Sequence, residues 1–409
     1  MKASYFVHDI GDPAVKRRVI SLVNIGVDVT VAGFSRSPAV PLNPDIAKVI
    51  DLGPTYDGKL THRVWKVSNT LFKSSVLKKC AADADILIAR NLECLALLWR
   101  SLRWSKSNVY RVYEVLDIHQ ALLGSSLSAK VLRTAEKRLM RNVDRIITSS
   151  PAFITEYFQT YQNVDSDKIS LVENRIVFPQ RMPNAVKSNK DQIAPAGSAR
   201  QSTGKPWQIG WFGVIRCRKS LVVLDHLAKH MDGLVNVVIR GKVAHDVIPD
   251  FETIVSANPY LSFYGPYQYP NDLQKIYEEI DFVWCIDYFE AGANSEWLLP
   301  NRLYEGGAFN TPHIARAGVE AAHWLKRQRL GYILDEPIGD SLHQFFHCIT
   351  PTEVDEMRTA YRAKNRSLWI DDGSGVQLFI GPNKYNDDCG SGGGLMHIQG
   401  ANRGSAQKA

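Results

Sequence analysis

The chain has 409 residues, of which 45% are hydrophobic, so it can bury the cores of two or three globular domains. Its formal net charge of +7 suits phosphate-bearing ligands, an anionic membrane surface or nucleic acid, and composition does not choose among them. The six cysteines form no C-x-x-C pair and no histidine cluster at metal spacing accompanies them, so we expect reduced, structural thiols. No apolar stretch reaches the length of a membrane span, and the N-terminal apolar run is too short for a signal peptide, which favours the cytoplasm.

Strands and helices alternate through residues 1–185, the pattern of a parallel sheet covered on both faces. Apolar runs predict strands at residues 4–7, 27–32, 85–89, 109–115 and 145–148. The first strand leads to Asp9, Gly11 and Asp12, and Asp12-Pro13 is a strong helix start. The turn has no G-x-G-x-x-G sequence, which argues against a nicotinamide or flavin dinucleotide site.

Two stretches of this region combine basic and aromatic residues and contain no acid. Residues 61–80 include five Lys or Arg with Trp65 and Phe72 on one helical face, and residues 99–111 place Trp104 among four cations. We interpret one or both as a surface that rests on anionic lipid. The alternative is an ordinary amphipathic helix with a solvated basic face.

Two titratable residues, Asp117 and His119, follow the strand predicted at residues 109–115. Ligands of open α/β sheets bind beyond the carboxyl ends of the strands, so acceptor chemistry is expected here. Either side chain can serve as a general base toward a substrate hydroxyl or can hold that hydroxyl in place. The alternative role for both is to cap the helix that follows and to bind loop backbone.

A polar segment at residues 186–206 predicts a linker, and a second strand–helix alternation follows at residues 207–350. Between the strand at 207–215 and the helix at 221–231 lies a loop that contains Gly213, Arg216 and Lys219. A helix N-terminus with flexible cations beside it suits a diphosphate. The alternative is a basic loop that is merely exposed to water.

Residues 300–315, with the sequence PNRLYEGGAFNTPHIA, predict a short helix that delivers Glu305 to the mouth of the second sheet. Arg302 lies one turn earlier on the same face, Asn310 suits the left-handed end of the helix, and Pro312 forbids its continuation. A carboxylate at this position can accept hydrogen bonds from two neighbouring hydroxyls, such as those of a ribose. The alternative is an exposed Arg–Glu ion pair.

Several of these segments resemble GT-B glycosyltransferases similar to family 4. The segment from Pro300 to Glu305 resembles their P-N-[KR]-L-[FY]-E motif, and Gly213 to Lys219 resembles their G-x-x-x-x-x-K-G signature, with Ser220 in place of the last glycine. Shorter matches are the D-P-x-V-x-R-x pattern at residues 12–18 and V-x-x-N near residues 171–174. The resemblance extends from near residue 1 to about residue 370, and implies an α/β protein with two Rossmann-like, doubly wound parallel-sheet domains that face each other across a cleft.

The resemblance also implies roles for individual residues. The donor is a nucleotide-diphosphate sugar, expected to be a UDP-sugar, held by the C-terminal domain, and Lys219, assisted by Arg216, stabilises its leaving diphosphate. Glu305 binds the ribose. The remaining donor-side candidates, on the base, phosphate and sugar, are Gly213, Asn301, Arg302, Asn294, Ser295, Glu296, Tyr264 and Tyr267. The acceptor-side candidates are Asp9, Gly11 and Asp12.

The chain departs from the family pattern at two positions. A Glu usually stands eight residues before the ribose Glu, where this chain has Trp297, and Leu116 stands where relatives often have a histidine. The stereochemical outcome therefore stays open. If configuration is retained, the leaving group itself takes the acceptor proton; if it is inverted, Asp117, Asp12 or His119 supplies a base.

Among these glycosyltransferases, the chain looks similar to bacterial enzymes that assemble exopolysaccharide repeating units on a lipid carrier. This similarity implies a lipid-linked saccharide acceptor, no metal cofactor, no nucleic acid partner, and a cytoplasmic protein peripheral to the inner face of the membrane. The alternatives are a nucleotide-sugar epimerase or hydrolase of the same fold, and a non-catalytic scaffold of a polysaccharide assembly. At the C-terminus, residues 351–370 predict a helix that crosses back to the first domain, and the Gly-rich residues 371–409 predict a disordered tail.

Overall fold

The computed structural model describes residues 1–35, 46–55, 69–71, 74–179 and 204–381. In these residues the N-terminal domain holds a seven-stranded parallel sheet with the order β3-β2-β1-β4-β5-β6-β7. The strands are β1 Lys2–Val7, β2 Asp28–Ser35, β3 Lys48–Pro54, β4 Ile86–Arg90, β5 Tyr110–Val115, β6 Arg145–Thr148 and β7 Ile169–Leu171. The helices are α1 Pro13–Asn24, α2 Ser74–Ala81, α3 Asn91–Ser101, α4 Leu127–Met140 and a π-helix, Phe153–Gln162.

The C-terminal domain holds a parallel sheet with the order β10-β9-β8-β11-β12-β13. Its strands are β8 Trp207–Ile215, β9 Val235–Val243, β10 Leu261–Phe263, β11 Phe282–Trp284, β12 His313–Arg316 and β13 Tyr332–Leu334. Its helices are α5 Arg218–His230, α6 Phe251–Ser256, α7 Leu273–Glu278, α8 Asn294–Trp297, α9 Asn301–Ala308, α10 Glu320–Gln328, α11 Ile338–Cys348 and α12 Pro351–Arg362.

Both sheets are covered on both faces, as the sequence predicts. Helices α2, α3, α4 and the π-helix share one apolar core on the N-terminal sheet, and α1 packs on the opposite face. In the C-terminal domain α5 and α11 cover one face, while α7, α9, α10 and α12 cover the other. The strand order reverses between β1 and β4 in one sheet and between β8 and β11 in the other, and such switch points open a crevice at the carboxyl ends of the strands.

The predicted strands are present with boundaries shifted by a few residues, and β3, β7 and β13 were not predicted. Asp12 caps α1 as expected, since its carboxylate accepts a hydrogen bond of 2.7 Å from the amide of Ala14. Ser150-Pro151 is a typical helix start and predicts a capped helix at residues 152–161. The structure instead has a π-helix at Phe153–Gln162, and Ser150 donates its hydroxyl to the carbonyl of Trp297 in the other domain.

The described end of the chain returns to the N-terminal domain. Beyond α12, the amide of Ile176 binds the carbonyl of Trp369 at 2.9 Å, and Asp371 accepts a hydrogen bond of 2.8 Å from Ser21 on α1. Val376 and Phe379 are then fully buried in the core beneath α1. Residues 371–381, assigned by the sequence to a disordered tail, are therefore part of the first domain, because a few apolar side chains among the glycines find a core to enter. Residues 382–409 lie outside the described part of the chain.

The structure describes only part of the first basic aromatic stretch and all of the second. Of the first, residues 61–68 and 72–73, including Trp65 and Phe72, lie outside the described residues, and so does most of the predicted linker. The second is not a continuous helix: it spans the end of α3, a 3-10 turn at Leu102–Trp104 and the start of β5. Each of its cations has a partner within the fold: Arg100 and Arg103 lie over the ring of Trp104, Lys106 pairs with Asp85 at 2.8 Å, and Arg111 pairs with Asp144 at 2.6 Å.

None of the helices in the described ranges combines the length and the hydropathy that crossing a bilayer requires.

Glu136 on α4 is a buried carboxylate that binds the π-helix, so its removal should destabilise the protein. Glu136 is 1% exposed and accepts hydrogen bonds from the hydroxyls of Tyr113, at 2.6 Å, and Tyr157, and from the amide of Gln162, at 2.5 Å. Because Glu136→Ala leaves the hydroxyls of Tyr113 and Tyr157 buried without an acceptor, we expect it to lower the free energy of unfolding by about 3–5 kcal/mol. Urea unfolding measures this, with Lys137→Ala, an exposed neighbour on α4, as the control. A loss no larger than that of the control would contradict the role given to Glu136.

Candidate active site

Helix α9 lies flush against the end of β11 and β12 because it contains two consecutive glycines. A Cβ on Gly306 would stand 2.6 Å from Val283 and 2.8 Å from the ring of His313, and a Cβ on Gly307 would stand 2.1 Å from Trp369. Asn310 ends this segment at a positive φ of 58°, as the sequence predicts. The close packing fixes which side chains of α9 face the cleft.

Glu305 is one of them, and it is 3% exposed. Its carboxylate accepts hydrogen bonds from the hydroxyl of Tyr277 at 2.9 Å and from that of Tyr267 at 3.5 Å. Burial raises the pKa of Glu305, and the charge of Arg17, the Tyr277 hydrogen bond and the charge of Arg302 offset part of that rise. Glu305 is thus a buried acceptor held by phenols and arginines, and the exposed Arg–Glu ion pair considered as an alternative does not describe it.

Arg17 reaches this site from the other domain. It lies on α1, is 7% exposed, and donates a hydrogen bond of 3.0 Å to the side-chain oxygen of Asn301 on α9. Its guanidinium also lies over the ring of Tyr269, 5.4 Å from the centroid. The candidate donor residue Asn301 is therefore part of a contact between the domains, and the positive charge beside Glu305 depends on their closure.

The opposite end of the site is built where β8 ends. Gly213 has a φ of +118°, and a Cβ on its neighbour Gly241, at φ +142°, would stand 1.7 Å from the carbonyl oxygen of Gly213. Only glycine fits at Gly241, and the pair keeps the backbone of this loop open. Helix α5 begins three residues earlier than expected, at Arg218, with the sulfur of Cys217 accepting a hydrogen bond from the amide of Ser220 at 3.4 Å. Lys219 consequently stands in the first turn of α5, where the amide groups have no partner within the helix.

Aromatic rings hold the cations of this end in place. The ammonium of Lys219 lies 3.8 Å from the ring centroid of Tyr288, and the guanidinium of Arg316, at the end of β12, lies 4.9 Å from the same centroid. Arg216 lies over the ring of Phe289 at 4.6 Å. Three cations therefore stand around one helix N-terminus, an arrangement that binds phosphate oxygens.

The cationic end and the acidic end meet at the segment that follows β11. The charges of Arg302 and Glu305 act on Cys285, whereas Tyr288 carries Lys219 on its ring. Cys285 and Tyr288 are three residues apart, so their Cα atoms are separated by at most about 11 Å. The two ends thus flank one crevice, at the switch point between β8 and β11.

The segment predicted to touch the donor sugar also joins the two domains. Asn294 is 3% exposed; its amide donates to the carbonyl of Ile118 at 2.8 Å, and its oxygen accepts from the amide of Ile118 at 2.9 Å. Ser295 bonds to the amide of Glu290 and to Asp287 within its own loop. Trp297, at the position where the family pattern has a Glu, packs on the N-terminal core.

Two other donor-side candidates lie at the edge of the crevice. Glu296 accepts a hydrogen bond of 3.0 Å from the amide of Gly292 and pairs with Arg316 at 3.5 Å. Tyr264 is 57% exposed and stacks on Arg240. Of the two tyrosines predicted at this turn, only Tyr267 faces Glu305.

On the acceptor side, the three candidate bases Asp117, Asp12 and His119 differ in their surroundings. Burial raises the pKa of Asp117, the charge of Arg90 offsets part of that rise, and the charges of Asp12 and Glu93 raise it further. The Asp117 side chain nevertheless opens to solvent on the cleft side, and the charge of Arg216 acts on it from the other domain. Within the part of the chain that the structure describes, no hydrogen bond holds its carboxylate.

The other candidates on this side are engaged in the fold. Burial would raise the pKa of Asp12, but Arg90 at 3.6 Å, His8 at 3.4 Å and the Ala14 amide hold that pKa below its ordinary value. The Nδ1 atom of His119 accepts a hydrogen bond of 3.1 Å from the amide of Ala121 and so caps the 3-10 turn at Gln120–Leu122. Asp9 accepts a hydrogen bond from the amide of Gly11 at 3.0 Å, which shapes the turn after β1.

Sequence reasoning did not find Arg17, Arg316, Tyr277 or Arg90. Arg17 occupies the arginine position of the D-P-x-V-x-R-x pattern, so a signal was present without a role attached to it. The remaining three stand at strand ends or in a helix with no local pattern that sets them apart.

We expect Arg17→Ala to weaken binding of the nucleotide donor about tenfold, because it removes a charged hydrogen bond across the domain interface and the cation nearest the buried Glu305. With less positive charge beside it, Glu305 has a higher pKa, so binding should be lost at a higher pH as the pH falls. Titration calorimetry with UDP across pH tests both effects. Lys16→Ala, which changes the exposed cation beside it on α1, is the control, and equal affinities in the two variants would contradict the role of Arg17.

Known proteins provide a comparison for this geometry. No protein-family model matches the chain. The succinoglycan biosynthesis protein ExoL of Rhizobium meliloti (strain 1021) is 35% identical over 376 residues, which cover 92% of this chain and 91% of ExoL. Sucrose-phosphate synthase of Thermosynechococcus elongatus superposes with a TM-score of 0.68 at 14% identity, covering 92% of this chain and 97% of that one. HepE of Anabaena, solved in complex with UDP-glucose, superposes with a TM-score of 0.63 at 13% identity, covering 93% and 97%. These similarities and the two parallel-sheet domains confirm the predicted GT-B fold.

Proposed function

We propose a donor and an acceptor for this chain, which belongs to the family of the succinoglycan biosynthesis protein ExoL and is a GT-B glycosyltransferase of exopolysaccharide biosynthesis. It moves a hexose from a UDP-sugar to a hydroxyl of a lipid-linked oligosaccharide. The UDP-glucose complex of HepE, a protein of the same fold, supports a nucleotide sugar as the donor.

One observation carries the proposal: a buried carboxylate and a set of three cations flank a single crevice at the switch point of the C-terminal sheet. Glu305 accepts from the ribose hydroxyls, while Lys219, Arg216 and Arg316 surround the diphosphate at the N-terminus of α5. The short segment after β11 links these two ends, so one nucleoside diphosphate can reach both. The sugar then points toward the N-terminal domain, where Asp117 stands.

Catalysis in this arrangement is mainly electrostatic. As the bond between the sugar and the diphosphate breaks, negative charge grows on the leaving oxygen, and cations already positioned in the closed cleft stabilise it without reorganisation. Asp117 receives the proton of the acceptor hydroxyl as that oxygen bonds to the sugar. Burial raises the pKa of Asp117, whereas the pKa of Asp12 is held below its ordinary value, and no hydrogen bond to another described residue occupies the Asp117 carboxylate. This assignment commits the proposal to inversion of configuration at the transferred sugar.

We further propose that transfer does not depend on a divalent metal, because three side-chain cations and a helix N-terminus supply the positive charge that the diphosphate needs. Removal of metal with EDTA should leave the rate of transfer within about twofold of the untreated enzyme, since no charge is lost from the site. Activity measured before and after chelation, with Mg²⁺ added back, checks this. A loss that Mg²⁺ restores would show that the metal supplies charge these side chains do not.

The donor is tested by a saturation-transfer screen of nucleotide sugars against the purified protein. We expect uridine nucleotides to give the signal and Glu305→Gln to abolish the saturation of ribose protons, while Glu279→Gln, in the same domain, retains it. Signals from purine nucleotides alone, or signals unchanged by Glu305→Gln, would contradict the assignment of the site.

Reaction class is tested with radiolabelled UDP-sugar in the presence and absence of a lipid-linked saccharide. A transferase moves label to the lipid fraction only when acceptor is present. Conversion of the donor alone would identify an epimerase or hydrolase, and donor binding without turnover under any condition would favour a scaffold.

A further inference from the structure

Helix α4 exposes two aliphatic side chains one turn apart. Leu127 is 79% exposed and Val131 is 61% exposed, the highest values among the large hydrophobic side chains that the structure describes. Single exposed aliphatic residues are common on protein surfaces, but two in succession on one face of a helix mark a surface that meets something apolar.

The same helix has cations on its solvent side. Lys130, Lys137, Arg138 and Arg141 are exposed, and within the described residues none of them forms an ion pair. The one carboxylate of α4, Glu136, is buried against Tyr113, so it does not neutralise them. The exposed face of α4 is therefore apolar near its N-terminus and cationic along its length, without any acid.

This face is attached to the loop that carries Asp117. The chain passes from Asp117 through the 3-10 turn at Gln120–Leu122 to the N-cap Ser126. Arg133 of α4 donates hydrogen bonds to the carbonyls of Leu122, at 2.5 Å, and Gly124, at 2.8 Å. Leu127 therefore begins the helix that directly follows the loop of Asp117, in the N-terminal domain.

We propose that the exposed face of α4 docks on an anionic lipid bilayer, with Leu127 and Val131 entering the headgroup region and the flanking Lys and Arg side chains contacting lipid phosphates. A helix lying in a membrane interface has this distribution of side chains. Charge complementarity selects an anionic bilayer over a neutral one. Two aliphatic residues are too small an apolar patch for a stable protein interface, which buries more than about 1,000 Å².

The docking places the acceptor end of the cleft at the surface where a lipid-linked hydroxyl is found. In that respect it rests on the proposed function, but the docking itself is measured without donor or acceptor. In residues 99–111, by contrast, each cation has a partner within the fold.

The test is co-sedimentation of the full chain with vesicles of phosphatidylcholine alone or mixed with phosphatidylglycerol, at low and high salt. We expect binding only to the anionic vesicles, reversed by salt. Leu127→Ser with Val131→Ser should weaken binding about tenfold, and Lys130→Gln, Lys137→Gln and Arg138→Gln should each weaken it about fivefold. Val222→Ser, an exposed aliphatic residue on α5, and Arg103→Gln are controls that should bind like the unmodified protein.

Failure of the unmodified protein to bind anionic vesicles, or equal binding to neutral ones, would overturn the proposal. The same holds if Arg103→Gln releases the protein while the α4 variants do not. The α4 variants should keep the thermal unfolding midpoint of the unmodified protein, because the altered side chains are exposed. Retained UDP binding in a protein that ignores vesicles would refute the docking and leave the proposed transferase function intact.

Discussion

Lys219→Ala is expected to lower the turnover number of transfer by about 10²–10³-fold, because removing one preorganised donor from a site of developing negative charge has that effect. Lys219 stands in the first turn of α5, and the ring of Tyr288 holds its ammonium in place. The charge on the leaving diphosphate is largest in the transition state, so the loss should appear mainly in the turnover number and less in donor affinity. Steady-state kinetics with varied donor, together with calorimetric binding of UDP, separate the two.

The neighbouring residue is a matched control. Arg218 precedes Lys219 in the same helical turn, but its guanidinium pairs with Asp250 on the outer surface, with an NH2 to Oδ2 distance of 2.7 Å. Arg218→Ala should therefore leave turnover within about twofold, as is usual for an exposed ion pair. Equal losses in the two variants would mean that general basicity, and not the position of Lys219, matters, and full activity of Lys219→Ala would remove it from the catalytic set.

The fold could be predicted from the sequence because short-range signals mark the strands and helices of both domains. Apolar runs such as residues 207–215 and the Asp12-Pro13 helix start are short-range signals, and the structure has a strand and a helix there. The predictions that were wrong concern features that depend on residues far away in the sequence. Ser150 was expected to cap its own helix but bonds to Trp297, and the chain end was expected to be disordered but finds a core beneath α1.

The same difference between local and distant signals applies to the residues of the candidate site. The short helix that carries Glu305 was predicted correctly because local signals at Pro300 and Asn310 bound it. The partners of Glu305 and its helix could not be predicted from the sequence, because they are distant along the chain. Tyr277, which donates to Glu305, is 28 residues away, and Arg17, which contacts α9, is 284 residues from Asn301. Asn294 shows the same limit: its assignment to the donor sugar stays a prediction, and no local signal indicates its bonds to the backbone of Ile118, 176 residues earlier.

Asp117→Asn is expected to lower transfer by about 10²–10⁴-fold, the range for loss of a general base, while leaving UDP binding unchanged. The amide keeps the size of the side chain but cannot take a proton from the acceptor. Because burial raises the pKa of Asp117, the acidic limb of kcat/KM in the unmodified enzyme should lie above the ordinary Asp value of about 3.9, with activity lost as the pH falls through it. The pH profile of each enzyme with the same acceptor measures this limb.

Comparison with His119 decides between the candidate bases. His119 accepts a hydrogen bond from the Ala121 amide through Nδ1, so His119→Asn, which can still cap the turn, should keep most of the activity and the same acidic limb. An active Asp117→Asn enzyme, or a product whose anomeric configuration matches that of the donor, would show that the leaving diphosphate takes the acceptor proton. The carboxylate would then only orient the hydroxyl, and the cations around α5 would have to supply nearly all of the catalysis.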